Sequence, residues 1–349
     1  MDDEGRRIRV QGCCGLTLAL LTAALMAGGC GDSDNGRRAV DSGLAGSHGS
    51  CQECHLDDGA LKLLAQEPQE TPEDSGEGGG GSVPPLEAWK KVLVDSTFLA
   101  TTHGQRRCVD CHGGNADTDE MVSAHDGLIA DPSDACADCH IPEAAHFEDS
   151  QHAQLHGYRN LISARAGVEQ MTPDMNQMFE ANCNTCHVTC GQCHISRPHS
   201  VGSGFVAGHQ IMRRPSMVEN CTACHGSRIG AEFRGENTAI PADTHYLQGM
   251  QCVACHGADE MHGHGRQGDT RYEVDVAPAC EDCHETASTN AYHEPHGDKV
   301  QCQVCHSTTY KNCYNCHVGE GLEQPSEMDF KIGRNPLKSD TRPYDFVVL

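Results

Sequence analysis

The sequence predicts a mostly irregular chain of short α-helices with almost no β-sheet, organised around something other than an apolar side-chain core. Three observations lead there. Of 349 residues, 37% are hydrophobic but only 4% are aromatic, with one Trp, seven Phe and seven Tyr. That is too little for an ordinary packed core of this length. Gly is abundant, at 38, which points to tight turns and little regular structure. The third observation is 23 Cys and 23 His, and these residues must name what fills the interior. Lys and Arg number 25 against 50 Asp and Glu, a formal charge of −25. That balance argues against nucleic acid and suits a water-exposed face meeting cationic partners or metal ions.

Twenty of the 23 Cys fall in ten copies of C-x-x-C-H. The first five, in chain order, are Cys51, Cys54 and His55; Cys108, Cys111 and His112; Cys136, Cys139 and His140; Cys183, Cys186 and His187; and Cys190, Cys193 and His194. The second five are Cys221, Cys224 and His225; Cys252, Cys255 and His256; Cys280, Cys283 and His284; Cys302, Cys305 and His306; and Cys313, Cys316 and His317. Composition alone would produce about 0.1 copies. Two thiols three positions apart can each add to one vinyl group of a haem, and the following His is then placed to ligate the iron. Zinc ribbons also use C-x-x-C, but give no reason for a His after every second Cys. A disulfide framework would not keep this rigid spacing. The motifs therefore specify ten covalent c-type haems. On these motifs residues 51–317 resemble the multihaem c-type cytochromes, a decahaem member, loosely similar to the octahaem tetrathionate and hydroxylamine cytochromes.

The chain divides in order. Residues 1–30 read as a signal peptide: Arg6, Arg7 and Arg9 form a positive start and Val10–Ala27 an uncharged, mostly apolar stretch. Met26-Ala27-Gly28-Gly29-Cys30 reads as a lipobox, so Cys30 would carry a lipid. Residues 31–50 form a flexible tether. Residues 66–85 are acidic, low-complexity and breaker-rich, and read as a disordered linker. Leu86, Trp89, Lys90, Leu93 and Val94 suit a short amphipathic helix. Longer helices are expected over Gln154–Gln170 and Asp174–Cys186, the second opening after Pro173. Residues 318–349 are a haem-free tail ending in a strand-like apolar run, Tyr344–Leu349.

The motifs also repeat. Cys108 to Cys136 and Cys252 to Cys280 are equal gaps, and an offset of 144 carries CVDCHGG onto CVACHGA. Asp119-Glu120-Met121 matches Asp259-Glu260-Met261, and Thr102-His103 matches Thr244-His245. Two pentahaem-like halves follow, about 51–200 and 201–317. With haems as the core, the fold should depend on them.

Thirteen His lie outside the motifs, and surplus imidazoles are expected as distal iron ligands. The expected set is His48, His103, His125, His152, His156, His199, His209, His245, His262, His293 and His296; His146 and one of His262 and His264 are the expected spares. At most one or two Met would replace a His.

Roughly one haem per 27 residues leaves no room to insulate the groups from one another. Cys183 and Cys190 lie at most about 25 Å apart even if extended, so those two haems should be neighbours, as should those of Cys302 and Cys313. The expected function is electron transfer through ten mostly bis-His haems, in an exported, membrane-tethered conduit of respiration. Its partners would be other redox proteins, the membrane through the lipid on Cys30, and no nucleic acid, with an oligomer possible. It would sit in the periplasm or at the cell surface. One alternative is a reductase or oxidase of nitrogen or sulfur oxyanions, which needs one open iron. The C-x-x-C-K motif found in similar enzymes is absent here. A third reading is a subunit of an extracellular cytochrome filament.

Overall fold

The structure is a computed structural model, and it describes residues 49–65, 83–182, 188–237, 240–285, 290–308 and 332–348. The signal peptide, Cys30, most of the tether with His48, and residues 66–82 lie outside the described residues. So do residues 309–331 and two of the ten expected haem sites, Cys183, Cys186 and His187 and Cys313, Cys316 and His317.

Regular structure is short. The two longest helices are α1, His156–Ala166, and α2, Pro173–Asn182. They begin and end close to the expected spans for clear reasons. Leu155, left-handed at φ 54°, turns the chain into α1, and Gly167 at φ 70° ends it with a backbone N–H returned to Ser163 and Ala164 carbonyls. Pro173 opens α2, where its missing N–H costs nothing. The expected amphipathic segment forms five helical residues, Ala88–Val92. The remaining helices are single turns or little more.

The only sheet among the described residues is an antiparallel ribbon of β1, Ile332–Arg334, and β2, Phe346–Val348. The apolar C-terminal run thus does form a strand. It docks on the motif of His306: Gln301 N–H donates to Phe346 O, and Asp345 N–H donates to Lys299 O. Val347 is fully buried there.

Apolar burial is scattered. Leu61, Leu155, Phe179, Val188, Met217, Ala223, Ile240, Val274 and Val347 are buried at separated places along the chain. Many large apolar side chains stay exposed, among them Leu63, Val122, Ile141 and Tyr292. Long-range hydrogen bonds tie the pieces together. Val94 N–H donates to His55 O, Asp95 N–H to Gly208 O, and Gln151 Nε2 to Gly268 O. The segment around 83–100 thereby joins the first motif to the region after the fifth. The last of these bonds joins residues 117 positions apart in the sequence.

Candidate metal centres

Most described motifs wind into one helical turn: Gly49–His55, Cys108–His112, Cys190–His194, Thr222–His225 and Gln303–His306 are α-helical. Cys252–Ala254 and Cys280–Asp282 are 3-10 turns. Positions i, i+3 and i+4 share one side of such a turn, so two thiols and one imidazole are presented together. The motif of His140 departs from this. Cys136 lies in the helix Ser133–Ala137, but Cys139 and His140 fall just beyond it, held by N–H groups that both donate to Cys136 O.

The expected haem-binding pairs differ in exposure. Cys54 sits half-buried inside the turn Gly49–His55, like its partner Cys51. Cys139 and Cys305 are exposed while their partners Cys136 and Cys302 are half-buried. Cys255 and Cys283 are exposed as well. Cys305 keeps its turn through an N–H that donates to Cys302 O. None of the sixteen described Cys is in a disulfide, although each pair is close in sequence. The other four, Cys183, Cys186, Cys313 and Cys316, lie outside the described residues.

The decisive geometry lies between histidines. Seven motif imidazoles each face a second imidazole from elsewhere in the chain. The ring centroids of His55 and His125 are 6.1 Å apart, those of His103 and His140 6.2 Å, and those of His112 and His209 5.7 Å. His152 and His225 are 6.2 Å apart, His194 and His262 6.0 Å, His245 and His284 5.9 Å, and His293 and His306 5.8 Å. A metal held in line between two imidazoles, with metal–nitrogen bonds of about 2.0 Å, needs centroids about 6 Å apart. All seven pairs fit that separation. His112 and His209 bring their Nε2 atoms to 3.5 Å, close to what two such bonds span.

The second ring nitrogen is often already engaged. His55 Nδ1 donates to Val92 O at 3.0 Å, His194 Nδ1 to Met212 O at 2.6 Å, and His125 Nδ1 to Met121 O at 2.8 Å. A proton on Nδ1 leaves the Nε2 lone pair for a metal. Burial keeps several of these rings neutral. It pushes His209 and His152 down to about 4, helped by His112 and His225 respectively, and lowers His112 and His262. Neutral imidazole is the ligating form.

His256 differs. Among the described residues no imidazole is paired with it as in the other seven cases. His152 lies within electrostatic reach of it, but the ring of His152 faces His225. The Nδ1 of His256 is bonded to Glu260 Oε2 at 2.9 Å. That carboxylate raises the affinity of His256 for its proton, and its side chain is only 17% exposed.

Other expected ligands fall out differently. His156, His199 and His296 face no motif imidazole among the described residues; His199 Nδ1 is bonded to Ser203 Oγ. Of the two neighbours in sequence, His262 faces His194, whereas His264 faces His146 at 4.4 Å, too close for a metal in line between them. Gly263 makes this possible. At φ 78° its α-carbon packs on the His146 carbonyl, where any β-carbon would collide.

Neighbouring described motifs also abut through their thiols; Cys136 and Cys190 do so with the fourth motif between them in sequence. Cys136 and Cys190, Cys221 and Cys252, and Cys280 and Cys302 are hydrogen-bonded pairs. Cys136 holds Cys190 down at about 6, and Cys221 does the same for Cys252. Cys108 lies within electrostatic reach of Cys51, Cys111 of Cys136, Cys193 of Cys224, and Cys255 of Cys280 and Cys283. The motifs of His55, His112, His140, His194, His225, His256, His284 and His306 therefore form one spatial series in chain order. The neighbour relations expected of Cys183 and Cys313 lie outside the described residues. Cys280, Glu281 and Cys302 converge closely enough to hold a metal ion, but both thiols belong to motifs.

The motifs themselves were legible in the sequence. Which second histidine opposes which motif was not. Nor was Glu260, although its place four residues after His256 was visible. Comparison with family models, curated proteins and solved structures finds no match for this chain.

Proposed function

We propose that this chain is a multihaem c-type cytochrome that conducts electrons along a row of covalently attached haems. The observation that carries the proposal is the set of seven motif imidazoles, each opposed by a second imidazole at 5.7–6.2 Å. A structural zinc site would bring four ligands round one ion; opposed pairs suit an axially ligated iron.

When bound, haem iron supplies one-electron Fe(III)/Fe(II) chemistry. The chain's residues do the rest. The Cys pairs would fix each ring covalently. The two imidazoles of each opposed pair would hold one iron between them, which would keep its spin state constant across the redox change and its potential low. The backbone carbonyls on Nδ1 fix the imidazole tautomers. The closeness of neighbouring motifs would place their haems side by side, in the order of the series. The net charge of −25, with haem propionates added, would lower and spread the potentials.

Two halves of five haems are part of the reading. It is supported by His103 and His245, which occupy matching positions and each reach the motif after the next Cys pair, at His140 and His284. Export, a lipid on Cys30 and membrane tethering complete the proposal. No helix among the described residues is long and apolar enough to cross a membrane.

The test is a haem count by pyridine haemochrome on the purified full chain, with low-temperature EPR and a redox titration of the same sample. Ten haems per chain, mostly low-spin, are expected. Zinc in place of haem, or a predominantly high-spin spectrum, overturns the reading.

A further inference from the structure

We infer that the haem on Cys252 and Cys255 is held by His256 alone and keeps an exchangeable iron position for a small uncharged ligand. This rests on the multihaem reading above.

Three observations converge. Eight motif histidines are described, and seven of them face a second imidazole at the in-line separation; His256 does not. Its repeat counterpart, His112, has His209 with Nε2 atoms 3.5 Å apart. The difference is therefore specific to this motif and does not follow from its sequence type.

Second, His256 is equipped as a strong single axial ligand. Its Nδ1 is bonded to a largely buried carboxylate at 2.9 Å. Among the motif histidines with a described Nδ1 partner, His55 and His194 use main-chain carbonyls instead. A carboxylate on Nδ1 makes the imidazole a better electron donor, which stabilises ferric iron and strengthens binding by one axial nitrogen. Glu260 is thus a positioning residue acting through His256.

Third, the surroundings select the ligand by charge. Beside this motif lies a cavity of about 410 Å³, lined in part by Cys255, Asp259, Glu260, Asp275 and Asp282. A haem on Cys255 would take up part of this space, and four carboxylates bordering it would raise the energy of an anion approaching its iron. A neutral donor meets no such barrier. The site also sits inside the series of motifs, with Cys252 against Cys221 on one side and Cys255 near Cys283 on the other. A bound ligand would have an electron source on both flanks.

The test uses the full haem-loaded chain. The haem count is taken first, because a chain without haem overturns the reading of the motifs as a whole. With haem present, oxidised protein should show a high-spin ferric signal. Imidazole should convert it to low-spin at far lower concentration than azide or nitrite, and the reduced protein should bind carbon monoxide. Glu260→Gln should shift the iron–histidine stretching band and raise the potential of the ligand-binding haem, and leave the low-spin signals in place. Glu260→Asp should restore part of both. An all-low-spin protein that binds no carbon monoxide overturns the inference. So does a high-spin haem whose stretching band ignores Glu260→Gln, since the open iron then belongs to another motif. Equal or tighter binding of the anions overturns the choice of ligand class.

Discussion

Cys108–His112 and Cys252–His256 lie 144 positions apart and nearly share a motif, CVDCHGG against CVACHGA. Their surroundings differ. His112 is half-buried against His209, with Phe98 and Phe205 edge-on around that second ring. His256 has Glu260 on its outer nitrogen instead. The matching glutamate of the first half, Glu120, does something unrelated. It caps the helix Met121–Ala124 by accepting from Val122 and Ser123 N–H groups. The cause is loop length. Glu120 follows His112 by eight residues, and Glu260 follows His256 by four. His256 lies just outside the helix Ala258–Met261, and extended Gly257 between them lets the first turn of that helix bring Glu260 back to the imidazole. With the shorter connection the glutamate meets the motif histidine and no longer caps a helix.

Preventing haem attachment should have the largest effect and should erase the comparison altogether. Expressed without covalent haem, both regions should lose helical circular dichroism and protease resistance together, since the buried apolar residues are few and scattered. Retained structure would show that side-chain packing suffices after all.

Phe179 marks a contrasting region that is packed in the ordinary way. It is fully buried, with the Arg159 guanidinium 4.4 Å from its ring centre. Phe179→Ala should cost about 3–5 kcal/mol by denaturant unfolding, with the spectrum of haem ligation unchanged.

His209→Ala should make the first region resemble the second. One more haem should become high-spin in EPR and bind carbon monoxide, raising the number of ligand-binding haems by one. No increase would mean that His209 does not serve His112.

Lengthening the loop should make the second region resemble the first. Inserting four residues between Gly257 and Ala258 should carry Glu260 away from His256 and raise the potential of that haem in a redox titration, as Glu260→Gln does. An unchanged potential would break the link between loop length and ligand partner. The smallest effect belongs to Glu120→Gln. It should lower thermal stability slightly through the weakened cap and leave every haem potential where it was.

The sequence shows the motifs more clearly than the fold. Ten C-x-x-C-H motifs are read directly, because their spacing is local. Their local form was less legible: Cys54 and Cys305 sit inside a helical turn, whereas Cys139 falls beyond the end of one. The helices around Gln154–Gln170 and Asp174–Cys186 were visible as regions, but their ends were set by Leu155, Gly167 and Pro173. The tail's strand character was readable in Phe346–Val348, but not its docking on Gln301. The opposing histidines were visible only as a pool. His262 and His264 differ by two positions, and only the close approach of Gly263 to His146 sends one to His194 and the other to His146.

By itself, then, the sequence determined the number and spacing of the C-x-x-C-H motifs on which the proposed cofactors rest, and the scarcity of helix, strand and core that goes with them. Those properties are local: they depend on spacing within five residues and on composition. The tertiary structure alone decided which histidine opposes which motif, the spatial order of the motifs, and the exception at His256. His209 meets His112 across 97 positions of sequence, and no local pattern encodes such a contact. It depends on the path of the chain between the two residues, through the turn of residues 83–100 and the anchoring of Asp95 on Gly208.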